Sequence, residues 1–511
     1  MKPFSKQLFK LFVIIIIVKI VEAVQRLVIS YKFGISDAAD IYWALITIPD
    51  YIIVMTGFST LNGVVNSQYS SLYAKKDFAS INDSFSNLLS FLFLIGTIIL
   101  GIVLMFNQEI ASIILPGFTS TKFMIATTFS AVLLPIFFFK SFSVFFSTVL
   151  NSYKIFTFPA IIQLLLPILV LVSAFLPYYN NQLIYNLSYS NLIGSILTAF
   201  ILFFYLFKPL SKINFTFMKF DTTTRNILKG CGVTFLPVIF QQLFILSKNF
   251  FASYLGEGAI SSLYYAGFIS GIISIIIFMS SFNLILNHLS NSFEVDKKSD
   301  TKKFFNLTLL TLISVVIPVI VLFISFNEEI VRIIYLRGNF STNDVQKTLV
   351  PFFWESLSLL NYLVYIIFTT LYLANKRYKV ISYVGIPLFL AGIFTNFLFS
   401  KIYGYYGISI SNYIITLIYA LLFMLLSRKY MGKINVLVIS ILKLLLIGLF
   451  VFCTTYVIKD VLHFRFSFGG LLISDIANTL IFSLFIFGLF NVIAFLFKVN
   501  YLKNIKLLLN T

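Results

Sequence analysis

Charge is scarce in this sequence: Asp, Glu, Lys and Arg make up 11% of 511 residues, against 59% apolar residues. A soluble core has no use for that much apolar surface, which excludes an ordinary globular enzyme. Long polar stretches are missing too, so no segment is left for a soluble domain of about 50 residues or more. Cysteine is limited to Cys231 and Cys453, far apart and without metal-ligand spacing, and both are expected as free thiols. His288 and His463 are the only histidines, and there is no P-loop, no His-Glu-x-x-His and no glycine-rich dinucleotide loop. ATP hydrolysis within this chain is excluded, no cofactor or metal is expected, and the chain reads as a transporter rather than an enzyme.

What is present is one apolar run after another. A helix needs about 20 apolar residues to cross the hydrocarbon. Crossings are predicted at 11–33, 40–67, 86–106, 126–152, 157–177, 185–207, 232–254, 262–288, 305–326, 350–374, 380–400, 407–427, 435–458 and 470–497. Runs such as Leu11 to Ile20, broken only by Lys19, and Ile272 to Ile277, broken only by Ser274, lack the alternation of a membrane β-barrel. The expected fold is therefore an all-α polytopic membrane protein of about fourteen helices. The first run carries Lys19, Glu22 and Arg26 and lacks a small-x-small cleavage site, so it is expected to stay in the mature protein.

The net charge of +19 follows topology. With the amino terminus inside, the inner loops hold twenty-four basic residues, among them Lys75, Lys76, Lys208, Arg225, Lys302, Lys303, Arg377 and Arg428. The outer side holds eight: Lys32, Lys122, Arg332, Arg337, Lys347, Lys401, Lys459 and Arg465. This excess puts both termini in the cytoplasm and makes nucleic-acid binding unnecessary.

Similar patches recur at an offset of about 222 residues, as expected of a transporter built by duplication. Asn107-Gln108-Glu109-Ile110 matches Asn327-Glu328-Glu329-Ile330, and Asn151 before Lys154 matches Asn375 before Arg377. Leu187 to Asn191 matches Ile408 to Asn412, and Phe33-Gly34 matches Leu255-Gly256. The implied organisation is an N-terminal six-helix lobe at 1–210, a second at 211–430, and a two-helix appendage with a tail at 431–511.

Ionisable groups in hydrocarbon are costly and mark cavities, partners or pathways. Lys19, Glu22 and Arg26 share one face of the first helix, and the repeat offset carries Lys248 onto Arg26. A cleft lined by Lys19, Arg26 and Lys248, with Glu22 opposing, suits an anionic phosphate or pyrophosphate head group. The bland alternative is that Lys19 pairs with Glu22 while Arg26 and Lys248 snorkel to the surface. Asp40 and Asp50 flank the start of the second helix, where Asp40 either joins the site or caps the helix. Lys140, Glu355 and Lys443 also lie within predicted crossings, each open to a structural partner.

Several stretches then resemble the MviN/MurJ family of lipid-linked saccharide flippases, within the superfamily that also holds MATE-type multidrug antiporters. They are Phe33-Gly34 followed by Asp40 and Pro49, Pro116-Gly117-Phe118, Ala131 to Pro159 with Leu150-Asn151-Ser152, Phe251 to Tyr254 running on to Tyr264-Tyr265-Ala266, and Tyr335 to Phe340. The resemblance covers nearly the whole length. It implies two lobes around a cavity for the head group, a groove beside the last two helices for a polyprenyl tail, and rocking of the lobes. The chain departs from the family pattern with Gln25 followed by Arg26, with Ile53 and Val54 for a basic pair, with Phe58-Ser59-Thr60 for Glu-Gly-Ala, and with Gly267-Phe268 for Asp-Arg. The expected cargo is an undecaprenyl-pyrophosphate-linked saccharide, lipid II or a surface-polysaccharide unit, carried by a monomer in the bacterial plasma membrane for cell-envelope biogenesis. The partners are that lipid, the membrane lipids, and a coupling ion or the membrane potential. An ion-coupled MATE-like multidrug antiporter is the rival reading.

Overall fold

The computed structural model describes residues 3–177, 183–210, 221–274, 285, 289, 298–375, 377–428, 435–461, 466 and 470–497. The far end of the predicted eighth crossing, both histidines, and Lys212, Lys219, Lys297, Lys376, Lys429, Lys433, Arg465, Lys498, Lys503 and Lys506 lie outside these residues.

Among the described residues the regular elements are helices, with no strand. In chain order they are α1 (Pro3–Phe33), α2 (Asp37–Ile46), α3 (Ile48–Met55), α4 (Phe58–Ala74), α5 (Phe78–Met105), α6 (Asn107–Ile114), α7 (Ser120–Leu133), α8 (Ile136–Ser152), α9 (Thr157–Ile162) and α10 (Leu165–Ser173). There follow α11 (Leu183–Leu206), α12 (Thr222–Ala252), α13 (Ala259–Ser274), α14 (Lys298–Ser325), α15 (Asn327–Tyr335), α16 (Thr342–Ala374), α17 (Tyr378–Tyr403), α18 (Tyr405–Leu426), α19 (Asn435–Tyr456) with a π turn at Val457–Val461, and α20 (Leu471–Leu496). Among the described residues ten segments are long and apolar enough to cross a membrane, and Thr157–Ser173, Val238–Ala252 and Ala259–Ser274 are shorter apolar helices. With the more highly charged α1, they fall one for one on the fourteen crossings read from the sequence.

Local chemistry sets the ends. Ser36 caps α2 by accepting from Ala39 N at 3.3 Å. Asp40 therefore sits in the first turn and does not cap it, because the shorter Ser36 already fills the position whose oxygen reaches the free N–H groups. The Asp77 carboxylate caps α5, and its bonds from the Ser80 hydroxyl and N–H hold its pKa below the usual carboxylate value. The second crossing is interrupted twice, at Thr47 with Pro49 following and at Gly57, whose φ of +80° suits glycine. The fourth is interrupted at Leu134 and Pro135.

The chain divides into two compact units, Met1–Ile260 and Ser261–Thr511. By packing α12 belongs to the first unit, where it lies on α3 and α4, whereas by repeat it opens the second half of the sequence. In the first unit α2 packs on α7, α3 and α4 on α8, and α11 on α7, α8 and α10. Lipid is as apolar as Leu, so close contact rather than transfer from water drives this packing. Phe85 stacks on Phe145 with ring centres 5.4 Å apart, and Gly194 lets α11 approach Leu166 so closely that a Cβ would stand 3.2 Å from its Cα. In the second unit α16 packs on α14 and α18, α17 on α18, and α20 on α14, α15 and α19.

The repeat has a structural counterpart inside each unit. Asn107 Nδ2 donates to Thr127 O at 2.9 Å at the start of α6, and Asn327 Nδ2 donates to Leu349 O at 3.1 Å at the start of α15.

Candidate functional site

On α1, Lys19 Nζ donates to both oxygens of Glu22, at 2.8 and 3.0 Å, in a pair whose side chains are 42% and 30% exposed. The two residues are one turn apart, so the bond is local and follows from helix geometry alone. Arg26, seven residues beyond Lys19, is half-buried. Lys248 on α12 is also half-buried, with Nζ 5.4 Å from the centre of the Phe244 ring. Its neighbour Asn249 donates to Thr47 Oγ1 at 3.3 Å and to Tyr51 OH at 3.1 Å, tying α12 to the break between α2 and α3.

Asp40 is fully buried. Its Oδ2 accepts from Lys122 Nζ at 3.1 Å and from Gly258 N at 2.8 Å, while Lys122 also donates to Asp37 Oδ1 at 2.6 Å. The sequence reading placed Lys122 on the outer side, ahead of the fourth crossing predicted at 126–152. It lies in the first turn of α7, which starts six residues earlier than that, with Nζ 4.5 Å from the centre of the Phe118 ring. About 15 Å along the same crossing, by helical rise, Asp50 on α3 is ion-paired with Lys140 on α8. Lys19, Glu22 and Arg26 lie on α1, Asp40 on α2 and Lys248 on α12, all within the first unit, with Asp40 enclosed and Lys19 and Glu22 accessible.

In the second unit Glu355 on α16 accepts from Asn412 Nδ2 on α18 at 3.2 and 3.3 Å, and Tyr362 OH donates to Asn412 Oδ1 at 3.1 Å. Lys443 is exposed on α19. Cys231 and Cys453 are free thiols. Among the described residues no group of three or more His, Cys, Asp or Glu is placed to hold a metal ion.

Reasoning along the sequence missed the pairings Lys122 with Asp40 and Lys140 with Asp50. Their partners are 82 and 90 residues apart; Lys140 was marked only by lying within a predicted crossing and Asp40 and Asp50 by flanking the start of the second, while Lys122 was read only as an outer-side charge.

The sequence model of the family described as "Lipid II flippase MurJ" matches residues 29–474. Two similar curated proteins are described as "Probable lipid II flippase MurJ". One, from Buchnera aphidicola subsp. Baizongia pistaciae, is 25% identical over 434 residues, 83% of each chain. The other, from Aquifex aeolicus, is 25% identical over 402 residues, 77% of each chain. Among solved structures, a lipid II flippase MurJ in an inward closed conformation superposes with a TM-score of 0.79 at 21% identity, over 96% of this chain and 99% of that one. An inward-facing MATE-family multidrug transporter of the MOP superfamily gives 0.65 at 14% identity, over 80% and 98%. These two likenesses speak for the fold alone, a multi-pass helical bundle. The family model spans most of the sequence, and this chain is a member of the lipid II flippase MurJ family.

Proposed function

We propose that this chain moves an undecaprenyl-pyrophosphate-linked saccharide, lipid II or a surface-polysaccharide repeat unit, from the inner to the outer leaflet of the bacterial plasma membrane. Family membership over residues 29–474 is the observation that carries the reading. Arg26 and Lys248 are the cations that receive the pyrophosphate, with Lys19 and Glu22 on the same face of α1. Asp40 serves the site from behind, holding α2 against α7.

The basic excess on one set of loops supports cytoplasmic termini. The repeat supports two lobes, 1–210 and 211–430, that exchange access by rocking, with 431–511 appended for the polyprenyl tail. A coupling ion or the membrane potential drives the cycle of a monomer.

The test is leaflet translocation of labelled undecaprenyl-pyrophosphate saccharides by purified protein in liposomes. Wild type should translocate, and Lys248→Ala and Arg26→Ala should not, with folding intact. Unchanged transport in both variants removes these residues from the mechanism. Failure of wild type to move any lipid-linked sugar sinks the flippase reading and promotes an ion-coupled multidrug antiporter.

A further inference from the structure

The Asp50 and Lys140 pair differs in kind from the buried Lys122 and Asp40 pair. Both residues lie within segments apolar enough to cross a membrane, Asp37–Met55 and Ser120–Ser152, yet their side chains are 50% and 43% exposed. Charges turned toward hydrocarbon are costly, so a half-exposed ion pair at this depth faces water or a polar ligand.

The backbone points the same way. The crossing that bears Asp50 is interrupted on both sides of it, at Thr47 and at Gly57, and the crossing that bears Lys140 is interrupted at Pro135, just over one turn earlier. Interrupted helices at membrane depth are tolerated where they are enclosed by protein or line a water-filled cavity. Next to Asp50, α12 presents Asn249 bonded to Thr47 and Tyr51. Asp50 on α3 and Lys140 on α8 therefore form a polar wall of the first unit, backed by Asn249 of α12 through its bond to the buried Tyr51.

We propose that Lys140 is a phosphate-binding residue of this wall, and that Asp50 is the internal anion it holds until a diphosphate replaces it. This rests on the lipid-linked diphosphate reading given above. Half-exposed ion pairs are weakly held, so exchanging partners costs little, while a lysine ammonium bonded to phosphate is a charge-assisted contact. The enclosed Lys122 and Asp40 cannot exchange in this way, since Asp40 is also fixed by Gly258 N.

The experiment measures binding of undecaprenyl diphosphate to the full chain in lipid nanodiscs, with inorganic pyrophosphate as competitor. Lys140→Gln should weaken lipid binding by about tenfold or more, Lys140→Arg should restore it, and Asp50→Asn should tighten it. Asp50→Asn with Lys140→Gln should match Lys140→Gln alone. Pyrophosphate should displace the lipid from wild type, which ties the effect to the diphosphate and not to the tail. Lys443→Gln is the control and should bind as wild type does.

Equal losses in Asp50→Asn and Lys140→Gln, recovered in the double variant, would show a purely structural pair and overturn the proposal. So would unchanged binding by Lys140→Gln, or lipid binding that pyrophosphate does not contest. In these cases wild type still binds and the flippase reading stands, whereas a wild type that binds no diphosphate lipid defeats both.

Discussion

Lys122 and Asp40 hold each other where solvent hardly reaches: Nζ and Oδ2 are 3.1 Å apart, with side chains 9% and 1% exposed. The bond joins the start of α7 to the first turn of α2, and Asp40 also takes the N–H of Gly258 just before α13. The cluster is asymmetric. Without Asp40, Lys122 keeps Asp37, which is 56% exposed, whereas without Lys122 the enclosed Asp40 keeps only Gly258 N among these contacts.

Removing one partner of an enclosed pair costs about 3–5 kcal/mol, because the other charge stays buried. Lys122→Ala should therefore destabilise the protein by that order, Asp40→Asn by less, and Asp37→Ala hardly at all. Unfolding of the purified variants in detergent checks the order. If Lys122→Ala and Asp37→Ala melt together, the cluster is not the clamp described.

A second clamp closes the other unit. Arg332 on α15 donates from Nε and Nη2 to the two oxygens of Asp475 on α20, at 2.8 and 3.0 Å, and from Nη1 to Glu328 at 2.7 Å. Burial alone would ease the proton off Arg332, but the bonds to Asp475 and the charges of Asp475, Glu328 and Glu329 outweigh it and raise its pKa. Beside it Lys459 Nζ lies 3.0 Å from Glu329, both side chains nearly closed to solvent, and also donates to the Ser325 carbonyl. These contacts fix the last two helices to α15. Glu329→Ala should cost about 3–5 kcal/mol, and Glu329→Leu with Lys459→Met should recover most of it. A double variant as unstable as the single would mean that the two charges do not act as a pair.

The fourteen crossings were legible because membrane length and apolar run length are the same quantity read twice. The interruptions fall inside crossings predicted as unbroken at 40–67 and 126–152, although Pro49, Gly57 and Pro135 are residues that end helices for reasons of their own backbone. Lys19 with Glu22 could be read from helical spacing. Lys122 with Asp40, Lys140 with Asp50 and Arg332 with Asp475 could not, because each partner depends on which helices pack together. The repeat shows the same limit. Glu109 and Glu329 occupy matching places after matching asparagines, yet Glu109 is exposed and Glu329 is buried against Lys459. The difference comes from the appended helices, which the second copy has beside it.

Glycines give a sharper check of the packing. A Cβ on Gly407 at the start of α18 would meet the carbonyl oxygen of Phe399 at 2.0 Å and its carbon at 2.4 Å, and backbone of α17 has no flexible end to move aside. On Gly488 in α20 it would meet nothing within 4 Å. Gly407→Ala should destabilise by about 1–3 kcal/mol or more, and Gly488→Ala should be neutral or stabilising by up to about 1 kcal/mol. Thermal unfolding of both variants decides it. A Gly407→Ala protein as stable as wild type would mean that α17 and α18 are not so close.

The pair on α1 yields a prediction about transport itself. Lys19 and Glu22 are exposed enough that their attraction is worth about 0–1 kcal/mol, so removing it should leave the fold intact. If that face meets a pyrophosphate, Glu22 is a repulsive neighbour that mutes Lys19. Glu22→Gln should then strengthen binding of undecaprenyl diphosphate by up to about fivefold, the equivalent of about 1 kcal/mol. The gain should shrink as ionic strength rises, because an accessible charge is screened by salt. Lys19→Gln should do the reverse and weaken binding by a similar factor. Weaker binding in Glu22→Gln would instead make the carboxylate a contact for the saccharide. No change in either variant would take this turn of α1 out of the site and leave Arg26 and Lys248 to carry the head group.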